Sequence, residues 1–157
     1  MQFSSRLNLA SHILLYLAEY QDRQKVTSEV LSATTGVNAV NIRKTLCLLK
    51  AADLIEVRPG VGGTYLTRKP ADITLADIFD AVENKDERLF PMHGNPNQNC
   101  PVGRSIYGVM DARIRILEHL MHDEMEHMTL QQMQDDMHRQ LQQENLHSPK
   151  EKQNGSD

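Results

Sequence analysis

From Leu54 to Thr67 the chain reads LIEVRPGVGGTYLT, two short runs of β-formers around a bend that holds Pro59, Gly60, Gly62 and Gly63. A phosphate-cradling loop would need Lys and then Ser or Thr after its last glycine, followed by a helix. Here the glycines run into Thr64, Tyr65, Leu66 and Thr67, residue types that favour a strand. The stretch is therefore expected to be a hairpin whose glycines let backbone come close to a partner. Arg58, Arg68 and Lys69 flank it, so that partner is anionic.

Upstream, Leu9, Ile13, Tyr16 and Leu17 recur at helical spacing and predict a helix over 5–20, with Ser4 or Ser5 as its cap. VTSEVLSATTG predicts a short second helix that Thr27 or Ser28 caps and Gly36 ends. Asn38 then caps a third, which turns Ile42, Leu46 and Leu49 inward. Two short helices across a tight Gly-containing turn, followed by a hairpin, form the winged helix-turn-helix pattern. The outer face of the third helix carries Asn41, Arg43, Lys44 and Cys47, with Asn38 and Val40 at its entrance. Either this face is merely solvated or it reads DNA. Residues 23–69 hold eight Lys and Arg against three acids, although the whole chain carries −4; that excess favours DNA. Arg43 then suits a two-bond guanine contact and Lys44 a phosphate. Thr27 and Ser28 offer hydroxyl and amide donors to the backbone, and Arg58, Gly60, Gly62 and Gly63 form the wing contact. Cys47 is expected to be a small packing residue.

Downstream, Thr74 and Asp77 predict a capping box for a short helix with Leu75, Ile78, Phe79 and Val82 apolar. KDERLFPMHGNPNQNC reads as loop, and Pro101 opens a long helix. Val102, Ile106, Val109, Ile116 and Leu120 line one side of it, interrupted by Arg113. So small a chain has nothing left to cover that stripe, so a second copy is the expected partner. Thr129 and Gln132 predict a second capping box, before a helix carrying Met133, Met137 and Leu141. His119, His122 and His127 among acids read as a solvated face. The expected organisation is a winged helix-turn-helix domain over 1–88, a loop over 89–100, dimerisation and C-terminal helices over 101–144, and a disordered tail over 145–157. The fold class is mainly α with a small β-hairpin wing.

Two cysteines, Cys47 and Cys100, make neither a disulfide framework nor a four-thiolate metal site. Cys100 precedes Pro101 at a helix N-terminus, where unpaired amides favour a thiolate. It is either a thiol sensor or a plain cap residue. No apolar run is long enough to span a bilayer, and no nucleophile-base pair or phosphate loop points to an enzyme. A cytoplasmic protein without cofactor or metal is expected.

Four blocks together carry a resemblance: SATTGVNAVNIRKTLCLLKAADLIEV, PGVGGTYLTRKPADITLADIFDAVE, NPNQNCPVG and MTLQQM. They resemble the bacterial Rrf-two-type winged-helix regulators, which include the IscR, NsrR and CymR kinds, over residues 3–135. The resemblance implies a homodimeric transcription factor, with the long helix as its dimerisation element, bound to double-stranded DNA at an inverted repeat. Repression is the expected sign, and the effector is unknown. Asp53 stands where the family usually has glycine, and Pro59 where the wing usually has arginine. Iron-sulfur members carry three cysteines around the loop and the long helix; this chain has Cys100 there and matches a single-cysteine subgroup without a cluster. The competing reading is a partner-binding module that keeps the winged fold without specific DNA affinity.

Overall fold

The computed structural model describes residues 5–60, 62–83, 88 and 90–147. Six α-helices and one hairpin follow in order: α1 (Arg6–Tyr20), α2 (Ser28–Thr35), α3 (Ala39–Ala51), β1 (Ile55–Val57), β2 (Thr64–Leu66), a 3-10 turn (Pro70–Asp72), α4 (Leu75–Val82), α5 (Pro101–Glu126) and α6 (Leu130–His147). This is the winged helix-turn-helix arrangement with a long helix added. Among the described residues no helix is long and apolar enough to cross a membrane.

Local chemistry explains the boundaries. Ser5 sits at the N-cap of α1 without a side-chain capping bond, so the serine cap expected there is not made; Ser4 lies outside the described residues. Thr27 caps α2 by accepting from the Val30 N–H at 3.3 Å, and Gly36 ends that helix at φ 71°. Asn38 caps α3 through the Asn41 N–H at 2.9 Å. At the far end of α3 the Leu54 N–H donates to Leu49 and the Asp53 N–H to Lys50, both at 3.0 Å. That is a Schellman ending, with Asp53 at φ 56° doing what glycine usually does. Reciprocal Thr74–Asp77 and Thr129–Gln132 bonds make both capping boxes.

The core is built on α1. Ala10, Ile13, Leu14 and Leu17 are buried there, whereas Leu9 and Tyr16 of the expected stripe are half-buried, so the inward face is rotated toward Leu14. On α3 the buried residues are Ile42, Thr45 and Leu49; Leu46 is half-buried, and Thr45 is tolerated inside because its hydroxyl donates to the Asn41 carbonyl at 3.0 Å. Val26, Leu31, Leu54, Ile55, Ile73 and Ile78 complete the centre.

The hairpin pairs Ile55 with Leu66, Glu56 with Tyr65 and Val57 with Thr64. Its inner strand is tied to the segment between α1 and α2 by the Thr64 N–H donating to Val26 (3.0 Å) and the Leu66 N–H donating to the Gln21 side chain (2.7 Å).

The C-terminal helix was grouped with the dimerisation helix on sequence, yet it returns to α1. Leu130 is fully buried in the core and Met133 packs against it. Glu19 of α1 accepts from Gln134 and pairs with His138, both at 2.9 Å. Helix α6 reaches His147, beyond the expected end at 144; the rest of the proposed tail, 148–157, lies outside the described residues.

Candidate nucleic-acid interface

Helix α3 lies across the core with Ile42 and Leu49 inward, which puts Val40, Asn41, Arg43, Lys44 and Cys47 on the exposed side. Val40 is 58% exposed, an apolar side chain left in water at the entrance of the helix. Cys47 was expected to pack; it is exposed, because Ile42, Thr45 and Leu49 are the positions that point inward. Asn38 is exposed and uses its side-chain carbonyl as the cap. Lys44, like Arg43, is exposed.

The N-terminus of α2 stands beside this face. Arg43 Nη2 is 3.1 Å from Glu29 Oε1. The same carboxylate oxygen accepts from the Ser28 hydroxyl at 3.0 Å. The Glu29 backbone N–H, the Ser28 and Thr27 side chains and the Arg43 guanidinium together hold the Glu29 carboxyl at a pKa of about 2. Thr27 and Ser28, named above as phosphate donors, thus spend side-chain capacity within α2: Thr27 as acceptor for Val30, Ser28 as donor to Glu29.

In the wing, Gly60, Gly62 and Gly63 take φ of 82°, 71° and 97°, a region side chains disfavour. A methyl group at Gly62 would also meet the end of the Lys25 side chain. Arg58 lies over the Tyr65 ring at 4.0 Å and donates to Glu56 at 2.8 Å, which raises its pKa above the ordinary value. Arg58 is therefore a stacked and oriented group next to Pro59. Lys25, Glu29 and Tyr65 are parts of this surface that sequence reasoning missed. Lys25 and Glu29 flank the α2 cap in sequence, but nothing in the spacing reveals that one meets the wing and the other meets α3.

The loop before α5 is organised by Asn97. Its carbonyl accepts from the Cys100 N–H at 3.2 Å, and its side chain accepts from the Asn99 N–H at 3.0 Å. Gly103 is pressed against the same carbonyl, leaving no room for a Cβ. Cys100 is half-buried at the N-cap of α5 and makes no side-chain capping bond.

Helix α5 spans 26 residues, about 39 Å at 1.5 Å per residue. Ile114 is its one buried side chain among the described residues, and the helix contacts α4. Val102, Val109, Ile116 and Leu120 are 70, 46, 60 and 59% exposed; Ile106 is half-buried. Arg113, which interrupts the stripe, folds back and donates to the Val109 carbonyl at 2.8 Å. His122 departs from the expected solvated face: its Nε2 is 3.0 Å from Asp80 Oδ2 on α4.

The sequence model described as "Rrf2: Iron-dependent Transcriptional regulator" matches residues 3–136. The chain belongs to the Rrf2 family. It is similar to the "Putative HTH-type transcriptional regulator YwnA" of Bacillus subtilis (strain 168), 38% identical over 122 residues that cover 78% of this chain and 89% of the relative. Among solved structures it is similar to IscR of T. potens (20% identical, TM-score 0.62, 87% of this chain and 88% of that one). It is also similar to CymR, the global cysteine regulator of B. subtilis (17% identical, TM-score 0.61, 86% and 97%). These two likenesses concern the fold.

This Rrf2 chain is a DNA-binding transcriptional regulator, not an enzyme. The family's description names iron, but the chain holds one cysteine near the loop and α5, and among the described residues no three His, Cys, Asp or Glu side chains gather as a ligand set. The described residues of one chain do not bring together the ligands that an iron or iron-sulfur group needs.

Proposed function

We propose that the protein acts in the cytoplasm as a homodimer that binds an inverted-repeat operator through α3, the start of α2 and the wing, and represses where that repeat overlaps a promoter. The observation that carries this reading is the shared exposed face of Val40, Asn41, Arg43 and Lys44, beside a wing whose Arg58 is stacked on Tyr65. Arg43 supplies a guanidinium for a base edge, and Lys44 a mobile charge for a phosphate. The backbone at Gly60, Gly62 and Gly63 lies along the sugar-phosphate. The uncovered side of α5 supports the dimer, because exposed Val102, Val109, Ile116 and Leu120 need burial and two copies place two reading heads on one two-fold axis. Dimerisation through these residues with Ile106, and a thiol response through Cys100, belong to this reading.

Selection of genomic DNA fragments with the purified protein tests it. Recovery of one inverted repeat is the expected result. A flat profile would favour a winged module that binds a protein partner.

A further inference from the structure

Residues 23–69 contain three acids in a strongly basic stretch, and each has a definable position. Asp53 takes the left-handed ending of α3, and Glu56 pairs with Arg58 on the wing. Glu29 remains, and it holds Arg43.

We propose that Glu29 is a positioning residue for base reading: it fixes the Arg43 guanidinium by one nitrogen, so that the remaining donors face a base edge, and its own charge disfavours a phosphate contact by that guanidinium. The inference rests on the reading of Arg43 as the base-contacting residue and adds to it the group that aims it.

Three observations lead there. The pair joins two helices across 14 residues of chain, so it fixes where Arg43 reaches relative to α2. Glu29 is anchored independently of Arg43, because the Ser28 hydroxyl donates to the same Oε1. Both partners are exposed, with side chains 57 and 68% accessible, and exposed pairs add little to stability. A guanidinium has five N–H donors in a rigid fork; one bond to Glu29 leaves donors for a two-bond contact with guanine O6 and N7. Without the carboxylate, the same side chain is free to swing to the nearest phosphate, which is a contact any sequence offers.

The experiment uses the full chain, the repeat recovered by selection and a scrambled duplex of equal length, with Kd read by fluorescence anisotropy across a salt series. Glu29→Gln keeps the side chain's size and removes its charge. It is expected to bind scrambled DNA about threefold to tenfold more tightly, with a log Kd against log salt slope steeper by about one, as one added phosphate contact gives. Its preference for the repeat is expected to fall about tenfold, the scale of one good bidentate contact. Glu29→Asp keeps the charge and the first-turn acid but shortens the reach; it is expected to lose preference with scrambled binding unchanged. In an Arg43→Ala background, Glu29→Gln is expected to leave the preference where it stands. Damage to α2 alone would weaken both duplexes by one factor, so the ratio separates aiming from folding. If Glu29→Gln folds poorly, Glu29→Asp decides the matter. A wild-type preference in both Glu29 variants overturns the proposal, whereas a wild-type preference in Arg43→Ala alone overturns the reading of Arg43.

Discussion

The Leu130 N–H donates to the Ile73 carbonyl at 2.8 Å, and both side chains are fully buried in one core. Next to it the Leu75 N–H donates to Met128 at 2.7 Å, so the turn after the long helix is stitched to the turn before α4. Helix α6 is thereby part of the winged unit's stability. Leu130→Ala is expected to cost about 2–5 kcal/mol in urea unfolding, the range for a large-to-small change in a packed core. Leu146→Ala, at a residue 82% exposed, is expected to change stability by less than about 0.5 kcal/mol.

His122 joins α5 to α4. Its hydrogen bond to Asp80 raises its pKa above the ordinary 6.5, with Asp80, Glu126 and Asp123 adding charge and burial opposing. A pKa raised by folding contributes stability that is full below the unfolded value and is lost as pH rises through the folded one. Thermal unfolding of the wild type is expected to show that loss from near pH 6.5 upward, and Asp80→Asn to flatten it. An unchanged pH profile in Asp80→Asn would contradict the assignment.

The stripe on α5 predicts the assembly. Replacing Val109 and Ile116 together by Glu places charge on side chains 46 and 60% exposed in one protomer, and is expected to yield monomers by light scattering. A double variant that stays dimeric would put the interface elsewhere.

Exposure orders the two thiols. Cys47 is exposed on the outer side of α3, and Cys100 is half-buried at the start of α5. A dilute thiol reagent is expected to label Cys47 first and, by crowding the reading face, to weaken DNA binding; Cys47→Ser is expected to remove that early loss and to leave the slower one through Cys100. Loss of binding that persists in Cys47→Ser and disappears in Cys100→Ser would assign the response to Cys100.

Much of the fold was legible because it rests on short-range chemistry. Thr27, Gly36, Asn38, Thr74 and Thr129 mark helix ends through bonds spanning a few residues, and the glycines of the wing announce their positive φ. On α1 and α3 the inward faces were legible at Ile13, Leu17, Ile42 and Leu49, but packing chose Leu14 and Thr45 over Tyr16 and Leu46. Contacts between elements left no trace in local spacing: Glu29 with Arg43, Lys25 against Gly62, His122 with Asp80, and α6 folded back on Glu19. Cys47 was misplaced for the same reason, as its exposure follows from how α3 is rotated on the core.

The central claim is that the exposed side of α3 reads base sequence, and it is tested by the Kd of Arg43→Ala and Lys44→Ala for the selected repeat and for scrambled DNA. Arg43→Ala is expected to lose about 1–3 kcal/mol on the repeat with little change on scrambled DNA, while Lys44→Ala weakens both alike and lowers the salt slope by about one. Equal losses on both duplexes for Arg43→Ala would contradict the account.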